Sequence, residues 1–196
     1  MKLPSSPALS KGLTLALALA AAAALPAQQP AAPAGPRPRT SPHETIHLRA
    51  DNNRVTVVYG RPHSKAPRTG AARKIWGGLV PFGKVWRTGA DEATLLITQQ
   101  ALDIGGAAVP AGAYTLYTLP AEDGSAQLLI NRKIGQWGSE AYDESQELAR
   151  VPLAREELTD PVDQFTMALE RNPAGGAFLR LRWEHAQFSV PYSVKK

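Results

Sequence analysis

The chain has 196 residues, 43% of them hydrophobic, no cysteine, and a formal net charge of +5 from 22 Lys and Arg against 17 Asp and Glu. Without cysteine it forms no disulfide and carries no cysteine-linked lipid, so a packed hydrophobic core has to supply its stability. The basic excess suits an anionic partner, but no recognition motif for nucleic acid accompanies it, so nucleic acid is not the expected partner.

The first 27 residues read as a secretory signal peptide. Lys2 and Lys11 flank a short polar stretch, Leu13 to Ala24 is apolar and Ala-rich, and Leu25-Pro26-Ala27 supplies a small residue for cleavage. That apolar run is too short to cross a hydrocarbon layer of about 30 Å as a helix. Cleavage after Ala27 leaves 20 Lys and Arg against 17 acids, a charge of +3, on an exported chain with no transmembrane segment, periplasmic or secreted. Residues 28–42 hold five prolines and almost no large apolar side chain, which predicts a flexible linker. Residues 43–196 then read as one domain without internal repeats, in a pattern that leaves the oligomeric state open.

Within that domain, Ile46 and Leu48 alternate with polar residues, Asp51-Asn52-Asn53 marks a turn, and Arg54 to Tyr59 is β-branched and aromatic, which predicts a hairpin. Further strands are expected at Ala93 to Gln99, at Leu102 to Ile104 turning through Gly105-Gly106 into Ala107 to Val109, and at Ala113 to Leu119 and Gln127 to Asn131. Beyond these come Leu148 to Leu153, Gln164 to Glu170, Phe178 to Trp183 and Gln187 to Pro191. Helical turns are expected only near Ala71 to Trp76 and Arg155 to Leu158. Short strands separated by Gly and Pro, with no long amphipathic helix, predict an all-β fold: an antiparallel β-sandwich, jelly-roll-like or barrel-like, with one or two short helical turns.

One segment breaks the strand rhythm. Lys74 to Thr94 carries Trp76, Phe82 and Trp86 among Gly77, Gly78, Gly83 and Gly89 with no hydrophobic period, the composition of a built loop. Gly78 to Lys84 also matches the core of a phosphate-binding loop. However, Pro81 removes an amide, Val85 stands where Ser or Thr would bind magnesium, and no apolar strand precedes the motif. His43-Glu44-Thr45-Ile46-His47 matches the HExxH pattern of zinc helices, yet Thr45 and Ile46 favour a strand, which would turn Glu44 away from the two His. No metal or cofactor is therefore expected.

Charge is segregated along the chain. Asn52 to Ala90 contains eight Lys and Arg and no acid, whereas Ser139 to Glu170 contains nine acids against Arg150 and Arg155. The basic region either attracts an anionic ligand or faces the acidic one. In the basic region lie Arg61, His63, Trp86 and Arg87, followed by the acid pair Asp91-Glu92, which serves chemistry, binds a hydroxyl or caps a turn. Trp137 and Tyr142, around a Gly-containing turn, offer stacking faces or core packing, and His185 at a strand end reads as structural. No nucleophile elbow and no ordered Ser/His/Asp set is present.

The segments Ser41-Pro42-His43-Glu44-Thr45, Val57-Val58-Tyr59-Gly60-Arg61-Pro62, Lys74 to Thr94 and Val109 to Pro120 together resemble a family of exported bacterial proteins known as domain of unknown function 2911. The resemblance continues through Gln136-Trp137-Gly138, Asp163-Gln164-Phe165-Thr166 and Trp183-Glu184, and spans about residues 41–192. It implies an exported β-rich domain and brings no established reaction or ligand. It also implies a strand, not a zinc helix, at the Ser41 segment. Asn often stands in that family where this chain has Asp91, which weakens Asp91 as an obligatory catalytic acid and leaves Glu92 untouched.

The expectation is a non-enzymatic module for an anionic or polyhydroxylated small molecule of the cell envelope, a glycan among them. Its surface would be built by Arg61, His63, Trp86, Arg87 and Glu92. The guanidiniums would hold the ligand's oxygens, Trp86 would stack, and Glu92 would orient a donor. A hydrolase of envelope glycans or esters using Glu92 or His63, and a structural partner in envelope assembly, are the rival functions.

Overall fold

Strands bounded by residues that reverse the chain pair with their neighbours in sequence, and antiparallel order follows. The computed structural model describes Arg39 and residues 41–195. The expected leader, residues 1–27, lies outside them, as does the expected linker, 28–42, apart from Arg39, Ser41 and Pro42. The hairpin is formed by β1 (His43–Ala50) and β2 (Asn53–Gly60) in a register that sets Ala50 opposite Asn53. Its two turn residues, Asp51 (φ 50°) and Asn52 (φ 58°), are both left-handed, the conformation a two-residue hairpin demands and the one Asp and Asn tolerate best.

After the hairpin come β3 (Thr94–Thr98), β4 (Leu102–Ile104), β5 (Ala107–Val109), β6 (Gly112–Pro120) and β7 (Ala126–Asn131). Two long strands, β8 (Glu147–Arg171) and β9 (Ala177–Val194), finish the domain. All nine belong to one antiparallel sheet in the order β1-β2-β3-β6-β7-β8-β9-β4-β5. Among the described residues no helix is long and apolar enough to cross a membrane.

Two expectations need correction. Helical turns are absent near Ala71 to Trp76, where the chain makes turns and isolated bridges, and near Arg155 to Leu158, which lies inside β8. The helical turn that does form is a 3₁₀ turn at Glu144–Gln146, whose first amides are capped by the Asp143 carboxylate. The four strands expected after Leu148 fuse into two. The polar stretch with Pro161 becomes a pair of register shifts inside β8, between Glu157 and Val162 and between Val162 and Thr166. Glu184, left-handed at φ 52°, kinks β9 without ending it.

The length of β8 is what curls the sheet. Its first residues pair with β7 and the rest with β9. The far end of β8 also returns to the hairpin, where Tyr59 and Met167 are hydrogen-bonded. Inward-facing residues from β2, β3, β6, β7, β8 and β9 therefore meet in one core, with Trp183, Tyr59 and Phe165 among its fully buried side chains. Both fold class and curling fit the sandwich-like arrangement expected of alternating short strands.

Candidate functional site

The Lys74 to Thr94 run is joined to the core by its aromatics. Trp86 stacks on Trp183 (centroids 5.7 Å apart, planes at 21°) and meets Phe165 edge-on at 5.0 Å, while Trp76 meets Trp86, Trp183 and Phe188 edge-on. Such pairs each contribute about 0.5–1.5 kcal/mol beyond the area they bury. Trp86 also exchanges backbone hydrogen bonds of 2.8 Å with Thr118 on β6. The segment after it is fastened by hydroxyls: Thr88 Oγ1 lies 2.8 Å from Thr118 Oγ1, and Thr94 Oγ1 donates to the Thr88 carbonyl at 2.7 Å.

Close backbone approach completes the anchoring. A Cβ on Gly60 would lie 2.2 Å from the Ala90 carbonyl oxygen, and one on Gly89 would lie 2.8 Å from the Gly60 oxygen. Only glycine lets the end of β2 and the loop touch there. Thr88 (φ 54°) and Asp91 (φ 62°) are left-handed within this turn, and for a β-branched residue like Thr88 that conformation is strained.

Against this loop lies a cleft of about 290 Å³, at the small end of typical ligand sites of about 300–1,000 Å³. Trp86, Trp183, Pro62, Pro67, Leu79, Pro81 and Val85 give it apolar walls, and Ser41, Arg73, Arg87, Asp91 and Ser139 give it polar ones. Three of the polar groups carry a buried atom with no hydrogen-bond partner among the described residues: Nε of Arg73, Nε of Arg87 and Oδ2 of Asp91. Trp76 Nε1 and the hydroxyls of Tyr117, Tyr142 and Tyr192 are likewise unpaired away from the cleft, so the cleft gathers three of the seven such atoms among the described residues, and all three belong to ionisable side chains.

The five residues singled out from sequence divide. Trp86 and Arg87 line the cleft; Arg61, His63 and Glu92 do not. Trp86 is 8% exposed, and it stacks on Trp183 with Phe165 edge-on to it, so the stacking face expected for a ligand is spent largely on the core. Arg61 ties β2 to β8, donating from Nε to the Phe165 carbonyl at 3.2 Å and from Nη2 to Thr166 Oγ1 at 2.9 Å, with Glu44 3.3 Å from Nη1. His63 Nδ1 lies 3.2 Å from Asp163 Oδ2, and Ser64 Oγ donates to the other oxygen of the same carboxylate. Here the basic and acidic segments meet, as one of their two readings required.

Glu92 does not line the cleft and binds the start of the domain. It accepts from Arg39 Nε at 3.1 Å, is also held by Arg39 Nη2, and lies 3.0 Å from His43 Nε2. The hydrogen bond from Arg39 pushes its carboxyl down to about 2. The HExxH residues lie on β1, with Glu44 accepting from the Tyr59 hydroxyl at 2.6 Å; no cluster of three metal-ligating side chains occurs among the described residues.

The resemblance to a phosphate loop also ends in backbone geometry. The amides of Gly77, Gly78, Leu79 and Val80 all donate to carbonyls within Lys74–Val80, so none of these four curls round an anion. Tyr142 packs edge-on against Tyr117 at 5.0 Å, and His185 Nδ1 donates to the Leu158 carbonyl at 2.9 Å.

Sequence reasoning passed over Arg73 and set Asp91 aside. Arg73 looked like one of eight basic residues, and nothing local says that its Nη2 reaches the His63 carbonyl and turns Nε inward. Asp91 carried one usable signal, an acid directly after Gly-Ala in an aromatic loop, but its left-handed backbone and burial come from the packing of Gly60 on Ala90.

Compared with known proteins, residues 41–192 match the family model described as protein of unknown function (DUF2911). No curated protein and no solved structure matches the chain.

Proposed function

The chain belongs to the family of proteins of unknown function DUF2911, and from the cleft it builds we propose an exported, non-enzymatic module that binds an anionic or hydroxyl-rich small molecule of the envelope. The observation that carries this reading is the pair of guanidinium Nε atoms, on Arg73 and Arg87, buried without partners along one cleft. Both side chains are half-buried, with Arg73 also held to the His63 carbonyl through Nη2, and a guanidinium matches carboxylate or phosphate with two parallel hydrogen bonds. Arg87 is the principal contact, since no hydrogen bond or ion pair engages its side chain among the described residues. The small exposed part of Trp86 and the apolar walls contact the ligand's carbon frame, while Arg61, His63 and Glu92 hold the surrounding loops. The leader-like residues 1–27 support export.

The rival hydrolase receives no such support. His63 is engaged by Asp163, Glu92 by Arg39 and His43, and neither lines the cleft. Calorimetric titration of the purified protein with glucuronate, inorganic phosphate, acetate and leucine tests the proposal. Saturable binding of at least one of these is expected, weakened roughly tenfold or more by Arg87→Ala while the unfolding midpoint stays near that of the parent. Absence of binding to all four, or binding indifferent to Arg87→Ala, overturns it.

A further inference from the structure

Arg73 and Arg87 account for the ligand's negative end, and the third unpartnered group in the cleft has the opposite requirement. Asp91 is 7% exposed, its Oδ2 is buried, and among the described residues no hydrogen bond or ion pair reaches its carboxylate; the Arg39 guanidinium, which is hydrogen-bonded to Glu92, acts on it only at a distance. A carboxylate out of water needs a donor, and a donor bearing positive charge offsets the desolvation far better than a neutral one. The same cleft is also lined by Leu79, which is 45% exposed, and by the exposed Pro67 and Pro81. Large apolar side chains left in water at the mouth of a polar cleft suit an apolar substituent on the ligand.

We infer that the cleft takes a small amphoteric molecule, its anionic group on Arg87 and Arg73, its protonated amine on Asp91 and its apolar part against Leu79. This rests on the binding function proposed above and narrows it to one chemistry, the zwitterion, which both a free amino acid and a phosphoethanolamine headgroup carry. Asp91 is the specificity-determining residue of the site. Substituting it is structurally safe in one direction, because Asn tolerates the left-handed backbone that Asp91 adopts at φ 62°.

Four ligands titrated into the full-length purified protein decide the matter: leucine, 4-methylpentanoate, which lacks the amine, 3-methylbutylamine, which lacks the carboxylate, and O-phosphoethanolamine. A zwitterion is expected to bind roughly tenfold or more tighter than either singly charged analogue. In Asp91→Asn that preference is expected to collapse, while 4-methylpentanoate binds at least as tightly as to the parent, because a like charge has left the cleft, and thermal unfolding confirms the fold. Leucine binding ahead of O-phosphoethanolamine identifies an amino acid or peptide terminus as the source, and the reverse order identifies a lipid headgroup. If 4-methylpentanoate binds as tightly as leucine and still depends on Arg87, the amphoteric assignment is overturned and the anion site stands. If Asp91→Asn keeps the zwitterion preference, the assignment to Asp91 is overturned. If none of the four binds, this inference is overturned, and the binding function survives only through the other anions.

Discussion

Tyr59 shows how much of the curled sheet hangs on one side chain. Its hydroxyl donates to Glu44 Oε2 at 2.6 Å and accepts from the Met167 amide at 2.9 Å, linking β1, β2 and β8 in a buried place. Burial and the Glu44 hydrogen bond raise its pKa well above the ordinary tyrosine value, so it is a neutral donor at neutral pH. Tyr59→Phe keeps the ring that meets Phe165 edge-on but strands the Met167 amide and removes a charge-assisted bond. Chemical denaturation should show a loss of about 1–3 kcal/mol, the cost of an unsatisfied buried polar group; an unchanged midpoint would mean that water replaces the hydroxyl. At this scale Arg87 was legible in the sequence, as a cation in an acid-free glycine- and aromatic-rich loop. Asp91 was not, because the loss of its solvent and the absence of a partner are properties of its neighbours.

The element that decides the site is the contact between the end of β2 and the Gly89-Ala90 turn. Gly60→Ala places a methyl group 2.2 Å from a backbone oxygen that no rotamer can move aside. Overpacking of this kind costs about 1–3 kcal/mol, and here it also pushes the Arg87–Asp91 segment away from β2. The expected result is a lowered denaturation midpoint together with weakened binding at temperatures where the protein is still folded. Parent-like binding in a destabilised Gly60→Ala protein would separate the contact from the cleft and refute its role in shaping the site. The strands themselves were legible where a turn signal bounded them: β4 and β5 lie at Leu102–Ile104 and Ala107–Val109, as the Gly105-Gly106 turn predicts. They were misread in β8 and β9, where charged residues and Pro161 look like a loop and instead occupy the exposed, bulged middle of a continuous strand. Local composition cannot distinguish a polar loop from a polar stretch of strand whose partner comes from 20 or more residues away.

For the whole molecule, the ion pairs that fasten its segments make stability depend on pH in a defined direction. The Glu92 carboxyl is depressed from 4.5 to about 2, chiefly by the hydrogen bond from Arg39, and Asp163 lies below 3.8 through hydrogen bonds from Ser64 and His63. A carboxyl whose folded value is depressed stabilises the protein above its unfolded value and loses that contribution as pH falls through the folded one. The unfolding temperature should therefore hold steady down to about pH 5 and decline between about 4.5 and 2. Glu92→Gln should unfold at a lower temperature near neutrality and show a shallower acid decline, and a decline as steep as the parent's would assign the transition to other groups. The sequence by itself determined the all-β class, the hairpin and the family, because turn chemistry, alternation and long unusual motifs are local. Only the tertiary structure decided which polar groups face one another across the cleft and which are spent on fastening loops. Burial and pairing depend on what the curled sheet brings against each side chain from 50 to 100 residues away, as it does for Glu92 with His43 and for His63 with Asp163.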